Sequence, residues 1–147
     1  MEGINKDILN KDIEFHGVMG LVFIGEDIIV YRRDNKTKRF PLAVDILGGG
    51  REGNESPFET FKREVFEEVA LNILEDYVVY AKRYQSIVDA KKSMFFIVVK
   101  SDKLRKEDIV FGNEGLEYII MSPKDFILLP DGVSVQQKRT EEYLNFK

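Results

Sequence analysis

The chain has 147 residues and a mass of 17.1 kDa, with 44% hydrophobic residues, a net charge of −4 and a pI near 5.2. It has no cysteine and a single histidine, His16, which excludes disulfides, thiolate chemistry, cysteine zinc sites and any centre needing two imidazoles. The acidic balance argues against a partner that is a nucleic-acid polymer, no apolar run is long enough to span a membrane, and any metal must be a hard cation held by oxygen.

This length fits one domain over residues 1–147, with no internal repeat and no low-complexity linker. No apolar run follows a basic start, so the expected location is the cytoplasm. The first 12 residues, mixed in charge, read as a disordered end.

GVMGLVFIGEDIIVYRRD reads as a hairpin, with strands Val18 to Ile24 and Ile28 to Arg32 about a turn at Gly25, Glu26 and Asp27. DNKTKR is a polar loop, and FPLAVDIL is a further strand that runs into three glycines. After a central helix, YVVYAKRYQSIV, SMFFIVVKS and LEYIIM read as strands. SPKDFIL and VSVQQKRTEEYLNF read as helices. Strands interrupted by few helices predict an α/β fold, a mixed β-sheet between helices on its two faces.

Ser56, Pro57 and Glu59 form a capping box with proline at the first helical position, so the central helix starts there. At about 100° per residue, Phe58, Phe61, Val65 and Val69 share one apolar stripe. Glu64, Glu67 and Glu68 share a face of about 100° beside it. Like charges at that spacing oppose folding by a few tenths of a kcal/mol per pair, and Arg63 alone cannot neutralise three acids. A solvated acidic face is the simplest reading of such a run, and GGGREG alone is as consistent with a tight turn as with a phosphate-cradling loop.

Taken together the residues spell G-x5-E-x7-R-E-U-x-E-E, with U apolar, on Gly49, Glu55, Arg63, Glu64, Val65, Glu67 and Glu68. This resembles the signature of the Nudix hydrolase family. Val69-Ala70-Leu71 stands at its end, with Ala70 in place of the usual glycine, and Leu47 stands where proline is common. A helix exit at Ala70 in the left-handed conformation would cost a residue with Cβ about 1–2 kcal/mol, the alternative being a slightly longer helix.

The resemblance implies a Nudix-type α/β/α sandwich and Mg²⁺-dependent hydrolysis of a nucleoside diphosphate linked to another moiety, with Mn²⁺ as a substitute. Carried over by position, it makes Glu67 and Glu68 the principal metal ligands and Glu64 a further ligand or the general base. The backbone of Gly48 or Gly49 would add a carbonyl, and Arg63 and Glu55 would orient the acids. The family often has another acid before a late strand, where FGNEGLEY offers Glu114 and Glu117.

Arg32, Arg33, Lys36, Lys38 and Arg39 are candidates for phosphate binding or a solvated loop, and Tyr118 for stacking on a base or plain packing. His16 reads as capping or packing near the first strand rather than as a group that titrates in catalysis. The substrate class stays open among nucleoside triphosphates, oxidised nucleotides, dinucleoside polyphosphates, nucleotide sugars and ADP-ribose. So do a catalytically silent nucleotide sensor, a purely structural domain and a homodimer.

Overall fold

In the computed structural model, which describes residues 3–113 and 115–146, six strands form one mixed sheet. They are β1 (Phe15–Ile24), β2 (Asp27–Arg33), β3 (Val44–Gly50), β4 (Val78–Gln85), β5 (Ser93–Val99) and β6 (Gly115–Met121). The helices are α1 (Pro57–Val69), α2 (Pro123–Leu128) and α3 (Ser134–Leu144). The sheet order is β4-β5-β1-β3-β2-β6, with β1 and β5 parallel and the other neighbours antiparallel.

The expected hairpin is present but short. β1 and β2 pair only through Phe23 with Ile28 and Ile24 with Asp27, because β3 inserts between them beyond the turn. The strand expected over FPLAVDIL begins at Val44 instead of Phe40. Phe40 and Leu42 take positive φ of 52° and 64°, which no strand residue can adopt.

Alternation along the strands divides the core. Val18, Val22, Ile29, Leu47, Phe95 and Ile97 face α1, while Leu21, Ile28, Val30, Ile46, Phe96 and Val98 lie on the other side with Phe126 of α2. Helix α1 starts as its capping box requires: Ser56 Oγ accepts from the Glu59 amide at 3.2 Å and the Ser56 amide donates to Glu59 Oε1 at 2.9 Å. Its stripe of Phe58, Phe61, Val65 and Val69 is buried, each side chain contributing about 2 kcal/mol by leaving water. Gly20 of β1 makes room for this packing, since a Cβ there would meet Phe61 Cζ at 2.7 Å and the Ile97 carbonyl.

Of the 12 residues expected to be disordered, residues 1 and 2 lie outside the described residues, and the stretch from Gly3 onward is held in place. The Asn5 amide donates to Ala81 O at 2.9 Å and the Ala81 amide to Gly3 O at 2.8 Å, a short 3-10 helix covers Lys6–Leu9, and Ile8 is buried in the core beneath α1. Ile4, Ile8 and Ile13 anchor a stretch whose overall polarity suggested none. Among the described residues, no helix is long and apolar enough to cross a membrane.

Candidate active site

Three elements meet at the site: the glycine end of β3, the loop from Arg51 to Ser56, and the polar face of α1. The loop is tied down at both ends. Arg51 donates to the carbonyls of Glu55 (2.9 Å), Ile13 (3.2 Å) and Lys11 (2.6 Å), and its guanidinium lies 4.6 Å from the centre of the Phe15 ring. Glu55 Oε1 accepts from the Glu52 amide at 3.0 Å and from Thr60 Oγ1 at 3.0 Å.

Arg63 joins loop to helix. Its Nε donates to Glu55 Oε2 at 2.7 Å, and Nη2 donates to Glu55 Oε1 at 3.1 Å and to Gly50 O at 2.8 Å. Nη1 donates to Glu64 Oε1 at 2.9 Å and Glu67 Oε1 at 3.1 Å, with Glu52 Oε2 at 3.5 Å. One planar fork thus gathers the acids of the loop and the helix, which a lysine's point charge could not do. Partial burial pushes the Glu55 carboxyl up, but the Arg63 hydrogen bonds and those from Glu52 and Thr60 outweigh it and hold it below the usual range. The hydrogen bond to Glu55 raises Arg63 in turn, so the guanidinium is permanently charged.

The three helix acids sit at graded depth. The side chain of Glu67 is 49% exposed and that of Glu64 12%, while Glu68 as a whole residue is 5% exposed. A Cβ on Gly49 would meet the Glu64 oxygens at 2.5 and 2.6 Å, so this carboxylate lies directly on the bare backbone of β3. Glu68 lines a cavity of about 10 Å³ with Tyr31, Phe111, Gly112 and Gly115, room for one water-sized species.

The segment Val110 to Gly112 closes the end of α1. The Gly112 amide donates to Glu68 O at 2.7 Å and the Val110 amide to Val69 O at 3.0 Å, satisfying carbonyls that a helix terminus leaves open. Ala70 leaves the helix with φ 62° and ψ 18°, so it takes the left-handed conformation and does not lengthen the helix.

Of the residues singled out in the sequence, Glu55, Arg63, Glu64, Glu67 and Gly49 converge, with Glu68 on the adjoining turn of α1. Glu114 lies outside the described residues. Glu117 is not brought to the cluster: it pairs with Arg32 across β2 and β6, on the sheet face away from α1, with Arg32 Nε 3.6 Å from Glu117 Oε1. Arg32 also donates to Asp131 Oδ2 at 2.8 Å and Leu42 O at 2.9 Å. Tyr118 faces α1 but packs on Phe111, with ring centres 5.0 Å apart. His16 sits in β1, with Nδ1 3.4 Å from Ser86 Oγ.

Arg33 holds a buried acid that the sequence reading did not single out. Its Nη1 donates to Asp45 Oδ2 at 2.9 Å, and burial pushes the Asp45 carboxyl up to about 6 against the lowering effect of the Ile46 amide and of Arg33 itself. The signal was an aspartate inside the apolar strand AVDIL.

Against this geometry, the sequence profile of the NUDIX domain matches residues 14–143. The chain belongs to the Nudix hydrolase family. Nudix enzymes act on phosphoanhydride bonds, and the acid cluster on α1 occupies the signature segment. A sequence search of curated proteins gave no match.

Solved structures share the fold at low identity. A MutT protein from Methanosarcina mazei Go1 is 17% identical with a TM-score of 0.64, over 92% of this chain and 99% of that one. An E. coli dihydroneopterin triphosphate pyrophosphohydrolase is 13% identical with a TM-score of 0.61, over 88% and 97%. A bifunctional NMN adenylyltransferase/ADP ribose pyrophosphatase from Francisella tularensis, complexed with AMP and a Mn ion, is 16% identical with a TM-score of 0.66, over 89% of this chain and 41% of that one.

The oxygens gathered here, the carboxylates of Glu55, Glu64 and Glu67 with the Gly50 carbonyl around Arg63, are of the hard kind that a divalent cation takes, beside a backbone without side-chain bulk at Gly49. Among the described residues no three acids or imidazoles already form a closed metal cage, and Glu64 and Glu67 are both held on Nη1 of Arg63.

Proposed function

We propose that this Nudix hydrolase is a Mg²⁺-dependent pyrophosphohydrolase that cleaves a nucleoside diphosphate linked to another moiety, with a nucleoside triphosphate or related small nucleotide as substrate. The observation that carries the reading is the fork of Arg63, which gathers Glu55, Glu64 and Glu67 against the Gly49–Gly50 backbone. Structural neighbours whose names specify dihydroneopterin triphosphate and ADP-ribose pyrophosphate chemistry support the substrate class.

Glu67, Glu68, Glu64 and the carbonyl of Gly49 would hold Mg²⁺, or Mn²⁺ in its place. When bound, the ion supplies charge to offset the phosphate oxygens and polarises the reacting phosphoryl group. In the reaction, water oxygen bonds to one phosphorus and the bridging P–O bond breaks with its electron pair on the departing phosphate. The proton of the water passes to a carboxylate. Glu64 is the residue proposed for that proton when it is not a ligand, because Arg63 and the Gly49 backbone fix its carboxylate in place. Glu55 and Arg63 act by positioning, and the positive charge of Arg63 limits repulsion among the acids.

The test is release of phosphate or pyrophosphate from nucleoside triphosphates and diphosphate-linked compounds, with Mg²⁺, with Mn²⁺ and with chelator, beside Glu68→Gln. Metal-dependent release, lowered by about two orders of magnitude or more in the variant, is the expected result. Full activity of Glu68→Gln would remove Glu68 from the ligand set. Nucleotide binding by the wild type without turnover would replace the hydrolase reading with a sensor.

A further inference from the structure

We infer that the loop between β2 and β3 is a binding site for an anionic group of the substrate beyond the reacting phosphoanhydride, so that phosphate-rich substrates are favoured over those ending in a neutral sugar. The inference rests on the hydrolase reading above and adds the residues that would hold the charge of the linked moiety.

Tyr31, Arg33, Asp34, Lys36 and Thr37 line an open cavity of about 390 Å³, within the size range of small-ligand sites. Tyr31 also lines the small cavity beside Glu68, so one side chain forms a wall common to both. The loop cavity and the cavity beside Glu68 are therefore neighbours at Tyr31.

The charges of the loop are unevenly matched. Arg32 is paired with Asp131 and Glu117, and Arg33 with Asp45. Lys36, Lys38 and Arg39 are exposed and form no ion pair among the described residues, although the chain as a whole is acidic at −4. Among the described lining residues Asp34 is the acid, and it keeps its charge: its Oδ1 accepts from the amides of Lys36 (2.9 Å) and Thr37 (3.0 Å), a turn that brings Lys36 to the cavity wall.

The loop is also held in shape. Arg33 reaches Thr37 Oγ1 at 2.9 Å and Arg39 O at 2.9 Å, and the Leu42 amide donates to Asp34 O at 3.2 Å. Phe40 and Leu42 keep left-handed backbones, strain that persists only where surrounding bonds enforce it and that gathers at ligand clamps. Among the described residues Lys36 is an unpaired cation lining a cavity that meets the Glu68 cavity at Tyr31. Lys38 and Arg39 follow it on the same hydrogen-bonded loop, an arrangement that suits a polyphosphate.

The experiment is calorimetric titration of the metal-free protein with inorganic tripolyphosphate at low salt. It compares wild type, the triple variant Lys36→Ala, Lys38→Ala, Arg39→Ala, and a control pair, Lys91→Ala with Lys92→Ala, on a different exposed loop. The expected result is binding by wild type and control, weakened about tenfold or more in the triple variant. Equal affinity in the triple variant, or no binding by the wild type, overturns the inference.

A second arm reads turnover. KM for a nucleoside triphosphate should rise about tenfold in the triple variant, while kcat, and KM for a nucleotide sugar, stay within about twofold. An unchanged triphosphate KM overturns the inference even where hydrolysis is confirmed. If the wild type hydrolyses nothing, the hydrolase reading fails, and tripolyphosphate binding still decides the loop's role.

Discussion

The guanidinium of Arg63 grips the carboxylate of Glu55 from two nitrogens, Nε at 2.7 Å and Nη2 at 3.1 Å, across the junction between loop and helix. The remaining nitrogen, Nη1, is thereby aimed at Glu64 and Glu67. Arg63→Lys keeps the charge but cannot bridge both groups. Its turnover should fall about 10- to 100-fold, the scale of a small misplacement of reacting groups, while far-UV circular dichroism stays native. Steady-state kinetics on the best substrate checks this, and wild-type kcat in the variant would reduce Arg63 to a surface ion pair.

Gly49 is needed for space and not for backbone freedom, since its φ is not positive. Gly49→Ala would set a Cβ within 2.6 Å of both Glu64 oxygens and force that carboxylate aside. The expected outcome is a folded protein with turnover reduced about 10- to 100-fold. Thermal melting and kinetics together separate this from unfolding.

Ala70 carries the opposite lesson. It holds a left-handed φ of 62° at the end of α1 although glycine would hold it without a Cβ penalty. Ala70→Gly relieves that strain, partly offset by the greater freedom of glycine in the unfolded chain. A net gain of about 1 kcal/mol is expected, read as a melting temperature about 2–4 °C higher. A lower melting temperature would mean that the methyl group contributes packing that outweighs the strain.

Asp45 makes stability depend on pH in a sense unusual for a carboxylate. Burial raises its pKa from 3.8 to about 6, so the folded state holds the proton more tightly than the unfolded state. The contribution is fully present below about pH 4 and is lost as pH rises through about 6, a swing on the order of 3 kcal/mol. Urea unfolding of wild type and Asp45→Asn between pH 4 and pH 7 should show wild type losing about that much relative to the variant. A constant difference would place Asp45 at its ordinary pKa, with the Arg33 pair compensating its burial in full.

The parts of the site that the sequence made legible are those set by neighbours along the chain. The capping box fixes where α1 begins, and the helical period then places Glu64, Glu67 and Glu68 beside the stripe of Phe58, Phe61, Val65 and Val69. Glu117 was illegible for a different reason. Its face depends on its register opposite Arg32 and on the irregularity where Arg33 pairs with Gly115, which no local pattern reveals. Arg33 looked like a free cation, and only its meeting with Asp45, twelve residues away, shows that it is an anchor.

By itself the sequence determined the helix start, the grouping of its carboxylates, the mixed α/β class and the Nudix signature, because each follows from spacings within a few turns or strands. Tertiary structure alone decided that β3 enters between β1 and β2, that residues 3–9 dock on β4 and the core, and that Val110 to Gly112 closes α1 over Glu68. It also decided which cations are matched and which remain open on the β2–β3 loop. Those outcomes depend on contacts between segments far apart in the chain, where burial and hydrogen-bond satisfaction over the whole fold outweigh local preference.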